Sequence, residues 1–232
     1  MLVQDIMIRD VVTVSENDTL EHASILLQQG RYRHLPVVQI LPWPKGEKPD
    51  FIVYPPPKPP MAVIGIISDR DLPGGRIGAV EPAQLQKRNV REVMHQTVVT
   101  ISPTTPVEYA AKLMADNAIG CLPVVVEDAQ DRLVGIITES DLFHALVKLV
   151  GAQEPSTRLR LRLHHGDAAH LARALNVIAQ HNGSIAGIIG EPTNDQGQWP
   201  VIIRIRTIYP EPILRDLAAA GIEVDQPAGA QE

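Results

Sequence analysis

The sequence predicts an α+β protein of two β-α-β-β-α copies in tandem, followed by one β-α-β-β-α-β unit. Three observations predict it. Residues 3–38 recur at an offset of 87 as residues 90–125, with 13 of the 36 aligned positions identical. A second block, residues 65–72, recurs at an offset of 70 as residues 135–142. Beyond residue 156, apolar runs and amphipathic stretches follow the order strand, helix, strand, strand, helix, strand. A unit as small as one copy leaves an apolar face uncovered, so the two copies are expected to pack together.

Each copy opens on a β-branched run, residues 11–14 and 98–101, which favours a strand. A helix follows. In the first copy Asp18 and Glu21 are placed to cap it, and in the second Thr105 and Glu108 form a capping box, with Pro106 suited to the first turn. Leu20, Ala23, Leu26 and Leu27 line one helical face, as do Val107, Ala110, Leu113 and Met114. Apolar strands come next, at residues 35–38 and 122–126, then at 63–67 and 133–137. A last helix starts at Thr138, whereas in the first copy Pro73-Gly74-Gly75 should stop its counterpart almost at once. The offsets of 87 and 70 differ by 17 residues, an insertion falling within residues 39–61. Its eight prolines favour an extended polyproline conformation, and Trp43, Phe51 and Tyr54 give it aromatic side chains.

Composition narrows the function. An apolar fraction of 44% and a charged fraction of 21% are those of a globular protein, and no run approaches the ~18 apolar residues of a membrane span. The first ten residues lack the pattern of a signal peptide, and a single cysteine, Cys121, excludes an intrachain disulfide framework, so a cytoplasmic location is expected. A net charge of −6 argues against nucleic acid as a partner. Nucleophile elbow, Walker loop and zinc triad are all missing, so no enzyme and no catalytic cofactor is expected.

The recurring block Gly-Ile-Ile-Ser/Thr-x-x-Asp places Ser68 with Asp71, and Thr138 with Asp141, on one side of a strand-to-helix junction. A carboxylate there can accept from the vicinal hydroxyls of a ribose, while the helix start offers N–H groups to phosphate oxygens. The same pair is also an ordinary helix cap. Arg31, Arg33, His34 and Arg70 supply cations near the first motif; the second copy has Ala118, Gly120 and Cys121 instead of the first three, so the two sites cannot be equivalent.

The paired openings (VQDIM and VREVM), the runs VVTVS and VVTIS, HLPVV and CLPVV, and the endings GIISDRDL and GIITESDL together resemble a tandem pair of CBS domains. The resemblance covers residues 1–150. It implies an adenine nucleotide, AMP, ADP or ATP, as regulatory ligand, with the Ser/Thr and Asp positions on ribose and phosphate and with Val12, Thr13, Val99 and Thr100 lining the base pocket. It also implies a homodimer.

Residues 151–156 form a linker, and the unit beyond has the ferredoxin-like element order, similar to an ACT domain. Its expected elements are strand 157–164, helix 167–181, strands 184–190 and 199–207, helix 210–220 and strand 222–225. His165, Asp167 and His170 are weighed as metal ligands, but Asp167 is better placed as a helix cap. Arg158, Arg160 and Arg162 alternate with leucines, and with Arg204 and Arg206 they make a basic sheet face, open to an acidic partner or balanced by neighbouring carboxylates. The expected domains are 1–88, 89–151 and 157–226. Their order resembles the acetoin utilization type of CBS protein and implies a sensor whose occupancy is relayed to the ACT-like domain or a regulated partner. A nucleotide-independent assembly protein is the alternative.

Overall fold

The computed structural model describes residues 1–43, 58–73, 85–126, 131–164 and 168–225. Phe51 and Tyr54 of the insertion, Gly74 and Gly75, and His165 and Asp167 lie outside these residues. The chain divides into two compact units, Met1–Leu142 and Phe143–Glu232.

The first unit is organised by one four-stranded antiparallel sheet, β1 (His34–Ile40), β2 (Met61–Ser68), β3 (Cys121–Val126) and β4 (Arg132–Thr138), in the order β1-β2-β4-β3. The two halves of the sheet repeat each other closely. His34 pairs with Ser68 as Cys121 pairs with Thr138, and the ladder slips at Val37/Val38 as it does at Val124/Val125. Helices α1 (Leu20–Gly30) and α2 (Val107–Asn117) pack their apolar faces on the sheet, and α3 (Glu139–Leu149), which follows β4, begins in this unit and continues into the second. After β2 the chain makes only turns through Pro73.

Three local expectations are corrected. The cap of α1 is Thr19, whose hydroxyl accepts from the His22 N–H at 3.2 Å; Asp18 sits one residue too early and accepts instead from the Ser15 N–H. The N-cap of α2 is Pro106, the repeat counterpart of Thr19, with no side-chain cap, so the capping box expected from Thr105 and Glu108 does not form. Residues 11–14 and 98–101 are not strands: each makes a single parallel bridge, Val14 to Val37 and Ile101 to Val124. The Val14 N–H donates to the Pro36 carbonyl and the Val38 N–H to the Val14 carbonyl. Extending that ladder toward Val12 would need an N–H from residue 36, which is proline and has none, and Pro123 blocks the second copy in the same way.

The openings of the two copies cross over. Ile8 exchanges both backbone hydrogen bonds with Ile136 of the second copy, and His95 does so with Ile66 of the first, all at 2.9 Å. Val3 and Met7 consequently lie in the core with Leu122, Val124 and Ile137, while Val90 lies in the core with Leu35, Val37 and Ile67, flanked by Met94. Gly65 and Gly135 admit these methionines: a Cβ at Gly65 would meet Met94 Sδ at 2.8 Å, and one at Gly135 would meet Met7 Sδ at 2.7 Å. The repeat that the sequence displays is therefore not the unit that packs.

The second unit has β5 (Thr157–His164), α4 (Ala168–Gln180), β6 (Ile185–Gly190), β7 (Gln198–Ile205), α5 (Glu211–Ala219) and β8 (Glu223–Asp225), with the sheet order β6-β7-β5-β8. Leu159, Leu161 and Leu163 face Val177 and Ile178 of α4 and Ile213 and Leu217 of α5 in one core. The alternating arginines take the other face and are paired there. Arg160 bridges Glu191 at 2.7 Å and Asp225 at 2.5 Å, Arg162 reaches Asp225 and Glu223, and Arg206 reaches Glu154 at 2.6 Å. Hydrogen bonds from Arg160 hold the Glu191 carboxyl below its ordinary range; burial would raise Asp225, but Arg162 and Arg160 outweigh it and lower it as well. This face is balanced by its own carboxylates, which favours the solvent-facing alternative over a site for an acidic partner.

Candidate functional site

Two clefts lie within the first unit, and the crossed openings build both. Where β2 ends, Ser68 donates to Asp71 Oδ2 from its N–H at 2.7 Å and from its hydroxyl at 2.6 Å. Where β4 ends, Thr138 donates to Asp141 Oδ2 in the same two ways, at 2.8 and 2.7 Å. One oxygen of each carboxylate thus closes the turn, as a cap does. Both side chains nevertheless edge a cavity.

The larger cleft, of about 460 Å³, joins Ser68 to Asp71 of the first copy with His95, Val98 and Val99 from the opening of the second. The smaller, of about 360 Å³, joins Thr138, Ser140 and Asp141 of the second copy with Ile8, Val11 and Val12 from the opening of the first. Helices α1 and α2 both end on a residue in the left-handed conformation, Arg31 and Ala118 at φ 53°, and these residues lie on the rims of the smaller and larger cleft. Arg33, His34 and Gly120 line both.

The electrostatics are local and nearly balanced. In the larger cleft Arg33 and Arg70 face Asp69, Asp71 and Glu139; in the smaller, Arg31 and Arg33 face Asp10 and Asp141. Arg33 Nη2 donates to Glu139 Oε2 at 2.9 Å, a link between the copies. Burial alone would raise the Asp71 carboxyl, but hydrogen bonds from Ser68 and from His95 Nε2, 2.9 Å from Oδ1, outweigh it and hold the group below its usual value. Burial, aided by Arg33, pushes the His34 imidazole down against the pull of Asp69, Asp71 and Glu139. Burial pushes the Cys121 thiol up to about 12, so it is a wall of the larger cleft and not a nucleophile. Among the described residues no group of three or more His, Cys, Asp or Glu is arranged to hold a metal ion, and no helix is long and apolar enough to cross a membrane.

Of the residues singled out in the sequence, Ser68, Arg70, Asp71 and Val99 line the larger cleft, Val12, Thr138 and Asp141 the smaller, and Arg33 and His34 both. Thr13 and Thr100 line neither; neighbours along an extended segment point to opposite sides, and the Thr13 hydroxyl turns toward Met61 Sδ, 3.8 Å away. Sequence reasoning missed Ile8, His95, Ile66 and Ile136, because nothing in a linear repeat says that its opening crosses to the other copy. The signal that could have found them is the pair Gly65 and Gly135, small residues in otherwise bulky strands that call for a close neighbour.

The sequence model of the CBS domain matches residues 3–41 and 90–148. A CBS domain-containing protein of Dictyostelium discoideum is 31% identical over 166 residues, which cover 68% of this chain and 99% of that protein. The chain belongs to the CBS domain family. Two solved CBS proteins are also similar. One, from Vibrio cholerae and provisionally described as an acetoin utilization protein, AcuB, is 30% identical with a TM-score of 0.48, covering 67% of this chain and 98% of that one. The other, the CBS domain pair of protein MJ0100 in complex with 5′-methylthioadenosine and S-adenosyl-L-methionine, is 26% identical with a TM-score of 0.44, covering 63% and 95%. Enzymes match over a minor part of their length: the chain spans 23% of a homoserine O-acetyltransferase of Methanohalobium evestigatum, at 27% identity over 140 residues, or 60% of this chain.

Proposed function

We propose that this CBS-pair protein is a regulatory sensor that binds an adenine nucleotide in the two clefts. The observation that carries the reading is the construction of each cleft, which sets a carboxylate at a strand-to-turn junction across from an apolar segment of the other copy. Asp141 accepts from the ribose hydroxyls through Oδ1, Asp71 does so through an Oδ1 that it shares with His95 Nε2, Val99 and Val12 flank the base, and Ser68, Thr138 and the cations Arg70, Arg33 and Arg31 meet the phosphate, with His34 between the clefts. Because acids equal the arginines in the smaller cleft and outnumber them in the larger, a monophosphate fits the local charge better than a triphosphate does. A ligand spanning both copies biases how they pack, and in this reading a homodimer, with the ACT-like second unit or a regulated protein partner, responds to that bias; acetoin utilization is the setting suggested by the domain order.

Calorimetry with adenosine, AMP, ADP and ATP tests it. AMP is expected to bind at least as tightly as ADP and more tightly than ATP, with Asp71→Ala and Asp141→Ala each removing one site. A second reading, a nucleotide-independent assembly protein, is favoured by the hydrogen bonds that Ser68 and Thr138 already make to the two carboxylates. Under that reading no nucleotide raises the melting midpoint, whereas a ligand that binds only the folded state must raise it.

A further inference from the structure

The clefts are unequal in one respect that the repeat makes visible. Arg33 lines both of them, and the residue at its repeat position, 87 further on, is Gly120. The two positions meet at the centre of the unit: a Cβ on Gly120 would lie 3.5 Å from Arg33 Nη2, 3.3 Å from Glu139 Oε2 and 3.2 Å from His34 Cε1. Any side chain at residue 120 would start against Arg33, Glu139 and His34, and with glycine there the guanidinium of Arg33 reaches the wall of both clefts. Each cleft also has a cation of its own, Arg70 in the larger and Arg31 in the smaller; their repeat counterparts are Ser140 and Ala118. Arg33 is held by Glu139, at 2.9 Å, with both side chains about half exposed.

We infer that Arg33 is a single cation shared between the two clefts and latched by Glu139, so that a phosphate bound in one cleft takes it from the other. This rests on the nucleotide reading above and adds to it a linkage between the sites. A phosphate entering either cleft competes first with the Glu139 carboxylate. Once it holds Arg33, the second cleft is left with its own arginine alone and faces the same acids as before. The first phosphate-bearing ligand therefore binds more tightly than the second, and a ligand without phosphate does not feel the difference. The absence of one charge-assisted hydrogen bond sets the scale at about tenfold or more.

The test is calorimetry of adenosine and AMP on the full chain, on Arg33→Gln and on Glu139→Gln. Both substitutions fall on half-exposed side chains, and adenosine binding itself reports whether each variant is folded. In the wild type the two AMP affinities are expected to differ by about tenfold more than the two adenosine affinities. Arg33→Gln should collapse the AMP gap to that of adenosine, and Glu139→Gln should tighten AMP severalfold relative to adenosine. An AMP gap that persists in Arg33→Gln, or AMP affinities that ignore Glu139→Gln, overturns the shared cation and leaves the nucleotide reading standing. Failure of both adenosine and AMP to bind the wild type overturns the nucleotide reading itself, and the linkage with it.

Discussion

At the larger cleft the turn after the strand carries Arg70 where the smaller has Ser140, while the smaller is edged by Arg31 and Tyr32 where the larger has Ala118 and Ile119. The backbone beneath these differences is duplicated almost residue for residue, down to the slip in each ladder and the left-handed residue ending each helix. Geometry is thus fixed by what the copies share, the Leu-Pro-Val-Val strands, the Gly-Ile-Ile endings and the crossed openings. Chemistry is left to a few positions on the rims, which can change without disturbing the core.

Three measurements break or sharpen that comparison. The largest effect is expected from filling the space that admits each crossed methionine. Gly65→Val and Gly135→Val should each cost about 1–3 kcal/mol by overpacking, measured by denaturant unfolding. Equal losses uphold the duplication, and a loss confined to one copy breaks it. A smaller effect is expected at His34, which lines both clefts where the second copy has Cys121. Its folded pKa lies below the ordinary 6.5, so the folded state prefers the neutral ring. Wild-type stability should therefore fall relative to His34→Gln as the pH drops through 6.5, levelling off below the folded value. A stability difference that does not vary with pH across that window contradicts this assignment. The smallest effect is expected in the second unit, where Arg206→Gln removes an exposed pair with Glu154 and should change stability by about 1 kcal/mol or less, as a melting shift of a few degrees at most.

Much of this was legible in the sequence. The element order of the second unit could be taken from the alternation of Arg158 to Leu163 and the apolar periods beyond it, because an antiparallel sheet covered on one side writes itself as period two. The clefts were legible as positions, Ser68 with Asp71 and Thr138 with Asp141, since each pair forms within a single turn. What escaped was set by contacts distant in sequence or by one missing atom. Pro36 and Pro123 look like ordinary members of apolar strands, and only the pairing partner reveals that their lacking N–H reduces the preceding segment to one bridge. Thr19 and Asp18 are both good caps in composition, and a shift of one residue decides between them. The pairing of Ile8 with Ile136, and of Ile66 with His95, leaves no trace in the sequence beyond the small residues Gly65 and Gly135 beside it.

That interlocking bears on how the protein is made. As the chain leaves the ribosome, the helix and strands of the first copy are complete at Ser68, yet its core lacks Val90 and Met94 until they too emerge. Val3 and Met7, meanwhile, have no seat until Leu122 to Ile137 have followed. Neither half can complete its core without the other, so a first copy severed from the second is expected to leave apolar surface exposed.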